Sequence, residues 1–196
     1  MKRLIATALL GISLALPAQA EKLSLNAVSN YLNGLQTAKG AFTQINGDGT
    51  ISTGTIYIHR PGRVRFEYNP PEASLVMAGG GKVAVFDARS NQPPEQYPLS
   101  RTPLSIILQR NVNLAQAQMV TGHGYDGTST TVTAQDPKNP DYGSIQMVFT
   151  GDPVELRQWV ITDNAGGQTT VVLGELEKGV QLPARLFSIV QEAQNR

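Results

Sequence analysis

Ten short segments of this chain alternate between apolar and polar residues, and the gaps between many of them are written in turn chemistry. The segments are 41–45, 50–59, 63–68, 74–78, 82–87, 119–125, 128–135, 144–150, 155–162 and 169–173. Between them stand Asn46-Gly47-Asp48-Gly49, Asn69-Pro70-Pro71, Gly79-Gly80-Gly81, Asp126-Gly127 and Asn164-Ala165-Gly166-Gly167. Alternation at period two marks a strand with one buried face. Asn-Gly, Asp-Gly and Gly-Gly pairs supply the left-handed backbone that tight hairpins need. Strands following one another in this way predict an antiparallel sheet, and so many must curl into a barrel or half-barrel to bury one face.

Only two segments carry helical spacing. Ser24 is placed to cap a helix with Leu25, Val28, Leu32 and Leu35 on one stripe, ending near Gly40. Thr102-Pro103 opens a second, with Leu104, Ile107 and Leu108 on one face and Pro103 in the tolerated first turn. A third short turn is expected over 113–118. No fixed-period repeat or linker tract interrupts 21–196, which reads as a single domain.

The first twenty residues read as an address. Met1-Lys2-Arg3 is a basic start, 4–16 is an uncharged and mostly apolar run, and Pro17-Ala18-Gln19-Ala20 offers the small-x-small pattern of a signal peptidase site. The run is shorter than the roughly 20 residues a membrane-spanning helix needs. Cleavage after Ala20 would leave 176 residues and change the net charge from +1 to −1, because Lys2 and Arg3 go with the leader. The expected product is exported and periplasmic.

The remaining composition excludes more than it proposes. With no cysteine there is no disulfide framework, no thiolate metal site and no lipid attachment through the chain's own sulfur. A near-neutral charge gives no electrostatic basis for a nucleic-acid partner. Gly122-His123-Gly124-Tyr125-Asp126-Gly127 matches GxGxxG, but the β-branched run 128–133 follows it where a dinucleotide site requires a helix. Gly79-Gly80-Gly81-Lys82 lacks both the Ser or Thr and the spacing of a P-loop. His59 and His123 lie on separate strands with no carboxylate pattern, and no GxSxG elbow is present. The expectation is a protein that is not an enzyme and carries no metal or cofactor.

One stretch has a pattern of its own. Alternation places Ile56, Ile58 and Arg60 on one face, and sorts the next strand into Val64, Phe66 and Tyr68 against Arg63, Arg65 and Glu67. If the apolar face is interior, Arg60 points into or over it and must find hydrogen-bond acceptors, since an unpaired buried charge is costly. If Pro61 ends the strand, Arg60 is instead a solvated rim residue. Pattern alone leaves both open.

The run from Ser52 to Pro71, Ser-Thr-Gly-Thr-Ile-Tyr-Ile-His-Arg-Pro-Gly-Arg-Val-Arg-Phe-Glu-Tyr-Asn-Pro-Pro, resembles the signature of the periplasmic outer-membrane lipoprotein carrier (LolA) family. Ala41-Phe42-Thr43-Gln44 before it, and Gln96-Tyr97-Pro98-Leu99-Ser100-Arg101-Thr102-Pro103-Leu104-Ser105-Ile106-Ile107-Leu108 after it, match the family's pattern in the same order. The resemblance covers about 23–189. It implies a mainly β fold, an open (incomplete) antiparallel β-barrel of about ten to eleven strands with an α-helical lid. It implies a carrier that accepts acylated lipoproteins from an inner-membrane ABC exporter (LolCDE-type) and delivers them to an outer-membrane receptor lipoprotein (LolB-type). The carrier is expected to be a monomer.

By the same resemblance Arg60, with Pro61, becomes a latch that hydrogen-bonds helix carbonyls and holds the empty cavity shut. The expected lipid cavity draws on Ile56, Ile58, Val64, Phe66, Tyr68, Met77, Val85, Ile145, Met147 and Phe149, with Leu25, Val28, Leu32, Leu35, Leu104, Ile107 and Leu108 from the lid. Phe66 stands where many members carry tryptophan, and Gly79-Gly80-Gly81 replaces the more usual Asp-Gly turn. A lipid-binding or lipoprotein-sensing protein of the same fold is the alternative, and an unrecognised hydrolase a third.

Overall fold

The alternating segments form one continuous antiparallel ladder. The structure, a computed structural model, describes residues 21–90, 92–116 and 118–195. The expected leader, 1–20, lies outside the described residues. Among the described residues eleven strands pair in a single sheet: β1 (Thr37–Ile45), β2 (Ile51–His59), β3 (Arg63–Tyr68), β4 (Leu75–Gly79), β5 (Lys82–Phe86), β6 (Glu95–Pro98), β7 (Val120–Tyr125), β8 (Ser129–Gln135), β9 (Ser144–Thr150), β10 (Glu155–Thr162) and β11 (Gln168–Lys178). Their order is β6-β5-β4-β3-β2-β1-β11-β10-β9-β8-β7. Each strand therefore lies beside its chain neighbour, except that β1 also pairs with β11 while β6 and β7 do not meet. β3 and β10 are four places apart in the sheet, yet the rings of Phe66 and Trp159 lie 6.3 Å apart across the interior. The sheet is curled, and it is left open between β6 and β7.

The segment joining those two edges has to cross the opening. It carries a 3-10 turn (Leu99–Arg101) and α2 (Leu104–Leu108), whose Leu104, Ile106, Ile107 and Leu108 are all buried. α1 (Leu25–Gly34) covers the interior beside it, capped by Ser24, whose side chain accepts a hydrogen bond from the Ala27 amide. On the outer face a final 3-10 turn (Ala184–Phe187) and α3 (Ile189–Gln194) cover Leu75, Met77, Ala84 and Phe86.

Four elements differ from their sequence expectation. The first helix ends at Gly34 rather than near Gly40, and 37–40 join β1. A strand flanked on both sides by ladders satisfies more backbone groups there than one further helical turn would. β6 has no apolar alternation and is exposed throughout; it is a strand because it pairs with β5. β11 runs on through Glu175 and Glu177, which read as loop, because β1 pairs with it down to Lys178 across a bulge. The short α3 lacks the length for helical periodicity and depends on docking, with Ile189 in the outer cluster.

Three glycines are required by the geometry, two in a hairpin turn and one where a side chain needs the space. Gly80 and Gly81 join β4 to β5 with φ of 57° and 78°, the doubly left-handed geometry of a two-residue hairpin. Gly54 sits opposite Phe42, and a Cβ there would lie 2.1 Å from the Glu67 carbonyl oxygen and 2.7 Å from the Phe42 ring. Gly54 is therefore the space into which Phe42 lies. Gly54→Ala is expected to force β3 off β2 and cost about 3 kcal/mol or more, read as a lower urea midpoint with an unchanged m-value.

Candidate functional site

Position along the strands defines two ends of the curled sheet. At one end, β2 turns into β3 through Arg60, Pro61 and Gly62, and this turn holds the end of α2. The Gly62 amide donates to the Leu108 carbonyl at 2.9 Å, and Arg60 Nη2 donates to the Gln109 carbonyl. The Arg60 amide donates to the Gln36 carbonyl just beyond α1 at 2.8 Å. Arg60 is only 4% exposed, and burial lowers its pKa from the ordinary arginine value. Nε and Nη1 are buried with no partner among the described residues. A guanidinium stays charged even so, so this end of the interior contains a charge satisfied through one of its three nitrogens. Of the two readings open from the pattern, Arg60 takes the interior one.

The crossing segment is also tied to α1. The Asn33 side chain donates to the Val112 carbonyl and accepts from the Val112 amide, both at 2.8 Å. Ser29 accepts from the Leu114 amide at 3.0 Å while donating to the Leu25 carbonyl. These bonds mimic a strand partner and satisfy backbone groups that would otherwise be buried unpaired.

Beneath Arg60 is a small, closed apolar void walled by Leu32, Leu35, Ile58, Val64, Leu104, Ile107, Leu108, Leu156 and Trp159. Farther along the same interior lies a cavity of about 570 Å³. Its apolar wall comprises Phe66, Tyr68, Val76, Val83, Val85, Trp159, Ile161 and Val171, with Pro103 and Leu104 from the crossing segment. Leu104 and Trp159 line both spaces and so form the partition between them. Trp159 is 1% exposed and is the chain's one tryptophan. Tyr68 donates to Gln44 Oε1 at 2.6 Å, and burial pushes its phenol up to about 12, so it is neutral at pH 7. Phe42 stacks edge-on against both Phe66 and Tyr68, at 5.3 and 5.2 Å. The mouth is polar: Tyr97 and Arg101 stand on one side, Asp141, Tyr142, Asp163 and Asn164 on the other. It lies between β6 and the loops at the ends of β8 and β10.

The sequence-derived cavity residues separate into four places. Phe66, Tyr68 and Val85 line the large cavity. Ile58 and Val64 line the void beside Arg60. Ile56, Ile145, Met147 and Phe149 are buried in the filled interior core. Met77 is a correction: it lies on the outer face, packed with Leu75, Ala84, Phe86 and Ile189, with Arg65 Nη1 3.9 Å from its sulfur. β4 is buried on both faces, so alternation carries no parity signal there, and it is Val76 and Ala78 that pair with Phe66 and Val64. Arg65 is likewise not solvated; it binds Glu67 at 2.7 Å and Glu192 at 2.8 Å under α3. Leu25 is half-buried, while Val28, Leu32 and Leu35 are fully covered, as are Leu104, Ile107 and Leu108.

The main wall residues that the sequence reading missed are Val76, Val83, Trp159, Ile161 and Val171. All sit on strands it had identified; for Val83, Trp159, Ile161 and Val171 parity along the strand was the signal available, whereas only the pairing with Phe66 assigns Val76. The two histidines are apart: the His59 ring packs on Phe187, while His123 Nε2 lies 2.9 Å from the Leu23 carbonyl oxygen. Among the described residues no three His, Cys, Asp or Glu side chains converge to hold a metal ion, and none of the helices is long and apolar enough to cross a membrane.

Known proteins resemble this chain over most of its length. The model of the family described as "Outer membrane lipoprotein carrier protein LolA" matches residues 33–190. An outer-membrane lipoprotein carrier protein of Cupriavidus pinatubonensis is 26% identical over 171 residues, covering 82% of this chain and 80% of the relative. One from Dechloromonas aromatica is 27% identical over 194 residues, covering 91% and 88%. Among solved structures, a LolA superfamily protein from Nitrosomonas europaea superposes with a TM-score of 0.43 at 9% identity, over 85% of this chain and 98% of that one. With the family model spanning most of its length, this chain belongs to the outer-membrane lipoprotein carrier (LolA) family.

Proposed function

We propose that this protein is a periplasmic carrier that takes acylated lipoproteins from an inner-membrane ABC exporter, holds their acyl chains in the cavity between β6 and β10, and passes them to an outer-membrane receptor. The leader pattern at 1–20 supports export, and 21–196 would act as one carrier domain. The observation that carries the reading is the cavity itself: about 570 Å³, walled by aromatic and aliphatic side chains, and roofed by a segment that belongs to neither sheet edge. Three acyl chains hold on the order of 40 methylenes, and at ~0.8 kcal/mol each their exposure to water costs roughly 30 kcal/mol. A carrier must therefore replace the membrane with an apolar interior.

The present cavity has the volume of a drug-sized site, less than a triacyl group requires. Loading then means lifting α2, which takes Leu104 away from Trp159 and joins the cavity to the void under Arg60. Arg60 and Gly62 are the latch in this reading: their bonds to Leu108 and Gln109 hold α2 down when the interior is empty. Because the closed state leaves two of the three Arg60 nitrogens unpaired, the latch is weak enough to be opened by binding.

The single tryptophan provides the test. A synthetic diacylated lipopeptide brominated near the acyl chain ends should quench Trp159 fluorescence in a saturable manner, because bromine quenches only at contact. The same lipopeptide without bromine should compete. Binding without quenching would place the acyl chains elsewhere and overturn the assignment of this cavity.

A further inference from the structure

Asp141, Asp163 and Asn164 are shared walls: they line the mouth of the apolar cavity and also a second, polar groove of about 270 Å³. That groove continues past Gln135, Ser144 and Thr162 to Thr121. Gln135, Ser144 and Thr162 are register neighbours across β8, β9 and β10. Thr121 occupies the bulge of β7, the strand at the unpaired edge of the sheet. Apolar and polar spaces thus meet at one doorway, and the polar one ends beside backbone that has no ladder partner. The opposite end of the interior is closed, by Arg60, Leu32, Leu35 and Ile107.

We infer that this groove is the subsite for the cargo's polypeptide, holding in extended form the residues that follow its acylated end. This rests on the carrier reading and adds a direction to it: acyl chains point toward Trp159 and the latch, and the peptide leaves between 140–142 and the β10–β11 hairpin. The chemistry fits an uncharged polar main chain. The side chains of Thr121, Ser144, Thr162 and Asn164 make no hydrogen bond within the described residues, so they can serve a bound amide. Asp163 is held in place by accepting from the Ala165 and Gly167 amides at 2.9 and 2.8 Å. With Asp141 on the same doorway, an anionic headgroup would meet like charge there, which disfavours it relative to an uncharged peptide.

The experiment uses the full exported chain with a photoreactive phenylalanine derivative in place of Ser144, Thr121 or, at the closed end, Arg110. The probe is the brominated diacyl lipopeptide with a polar peptide of six residues. Crosslinks to the peptide from positions 144 and 121, and none from 110, are expected. A probe trimmed to the acylated cysteine alone should still quench Trp159 but lose the crosslink at 121. Independently, Ser144→Arg should weaken the six-residue probe about tenfold, the equivalent of a hydrogen bond, and leave the trimmed probe unchanged. Quenching of Trp159 with crosslinks only from position 110 overturns the subsite while leaving the carrier reading intact. A probe that neither quenches nor crosslinks overturns both.

Discussion

Arg60→Leu is expected to retain bound lipoprotein at least about tenfold longer than the unsubstituted chain when mixed with outer-membrane acceptor. The sign follows from where the guanidinium sits in each state. In the closed structure Arg60 is buried and donates to Gln109, a charge-assisted bond worth about 1.5–3 kcal/mol. With acyl chains inside, the same group would face hydrocarbon, an uncompensated charge costing several kcal/mol. On the proposed carrier reading, arginine would therefore favour the empty, closed form over the loaded one. Leucine removes both the bond and the penalty, and it adds apolar surface next to Ile58 and Val64. The measurement is the rate at which a labelled lipopeptide leaves the carrier. Release as fast as from the unsubstituted chain would show that Arg60 has no latch role. Arg60→Lys should fall between the two, keeping the charge without the forked geometry.

The largest stability effect is expected at Trp159. The side chain is 1% exposed, contacts Phe66 edge-on and separates the cavity from the void. Trp159→Ala should lower the unfolding free energy by about 3–5 kcal/mol, measured by urea denaturation followed by circular dichroism. The partition also makes a second prediction that a merely structural tryptophan would not. Without it, the two spaces merge, so an acyl ligand fills part of the hole the substitution creates. Saturating lipopeptide should therefore raise the stability of Trp159→Ala by more than it raises the unsubstituted protein. Equal increments would mean that Trp159 is a core residue and no partition. Leu104→Ala, at the other residue that lines both spaces, should show the effect more weakly.

Most strands were legible in the sequence, and so were their faces wherever one side stays open; on β4, covered on both sides, they were not. β3, β9 and β10 begin and end where alternation places them, because each has one covered and one partly open face. β4 is covered on both, by the interior and by α3, so Met77 and Val76 are indistinguishable by pattern and only pairing with Phe66 assigns them. β6 and the far half of β11 have charged or proline-flanked sequences that no local preference makes extended; the neighbouring strand does so. The covering of Arg65 had no local signal either: the helix that supplies Glu192 arrives from 127 residues away.

By itself, then, the sequence determined the fold class, the hairpin positions, the short helices that cover the interior and the odd placement of an arginine at the end of an apolar face. These are local properties: turn stereochemistry, strand period and capping act over a few residues. Only the tertiary structure decided which side of β4 faces inward, that β6 and β7 do not pair with each other, and that Leu104 and Trp159 line the same two spaces. Each of those depends on contacts between residues far apart in the chain. The cavity is such a property, because it is the space left where distant strands curl past one another without filling the interior.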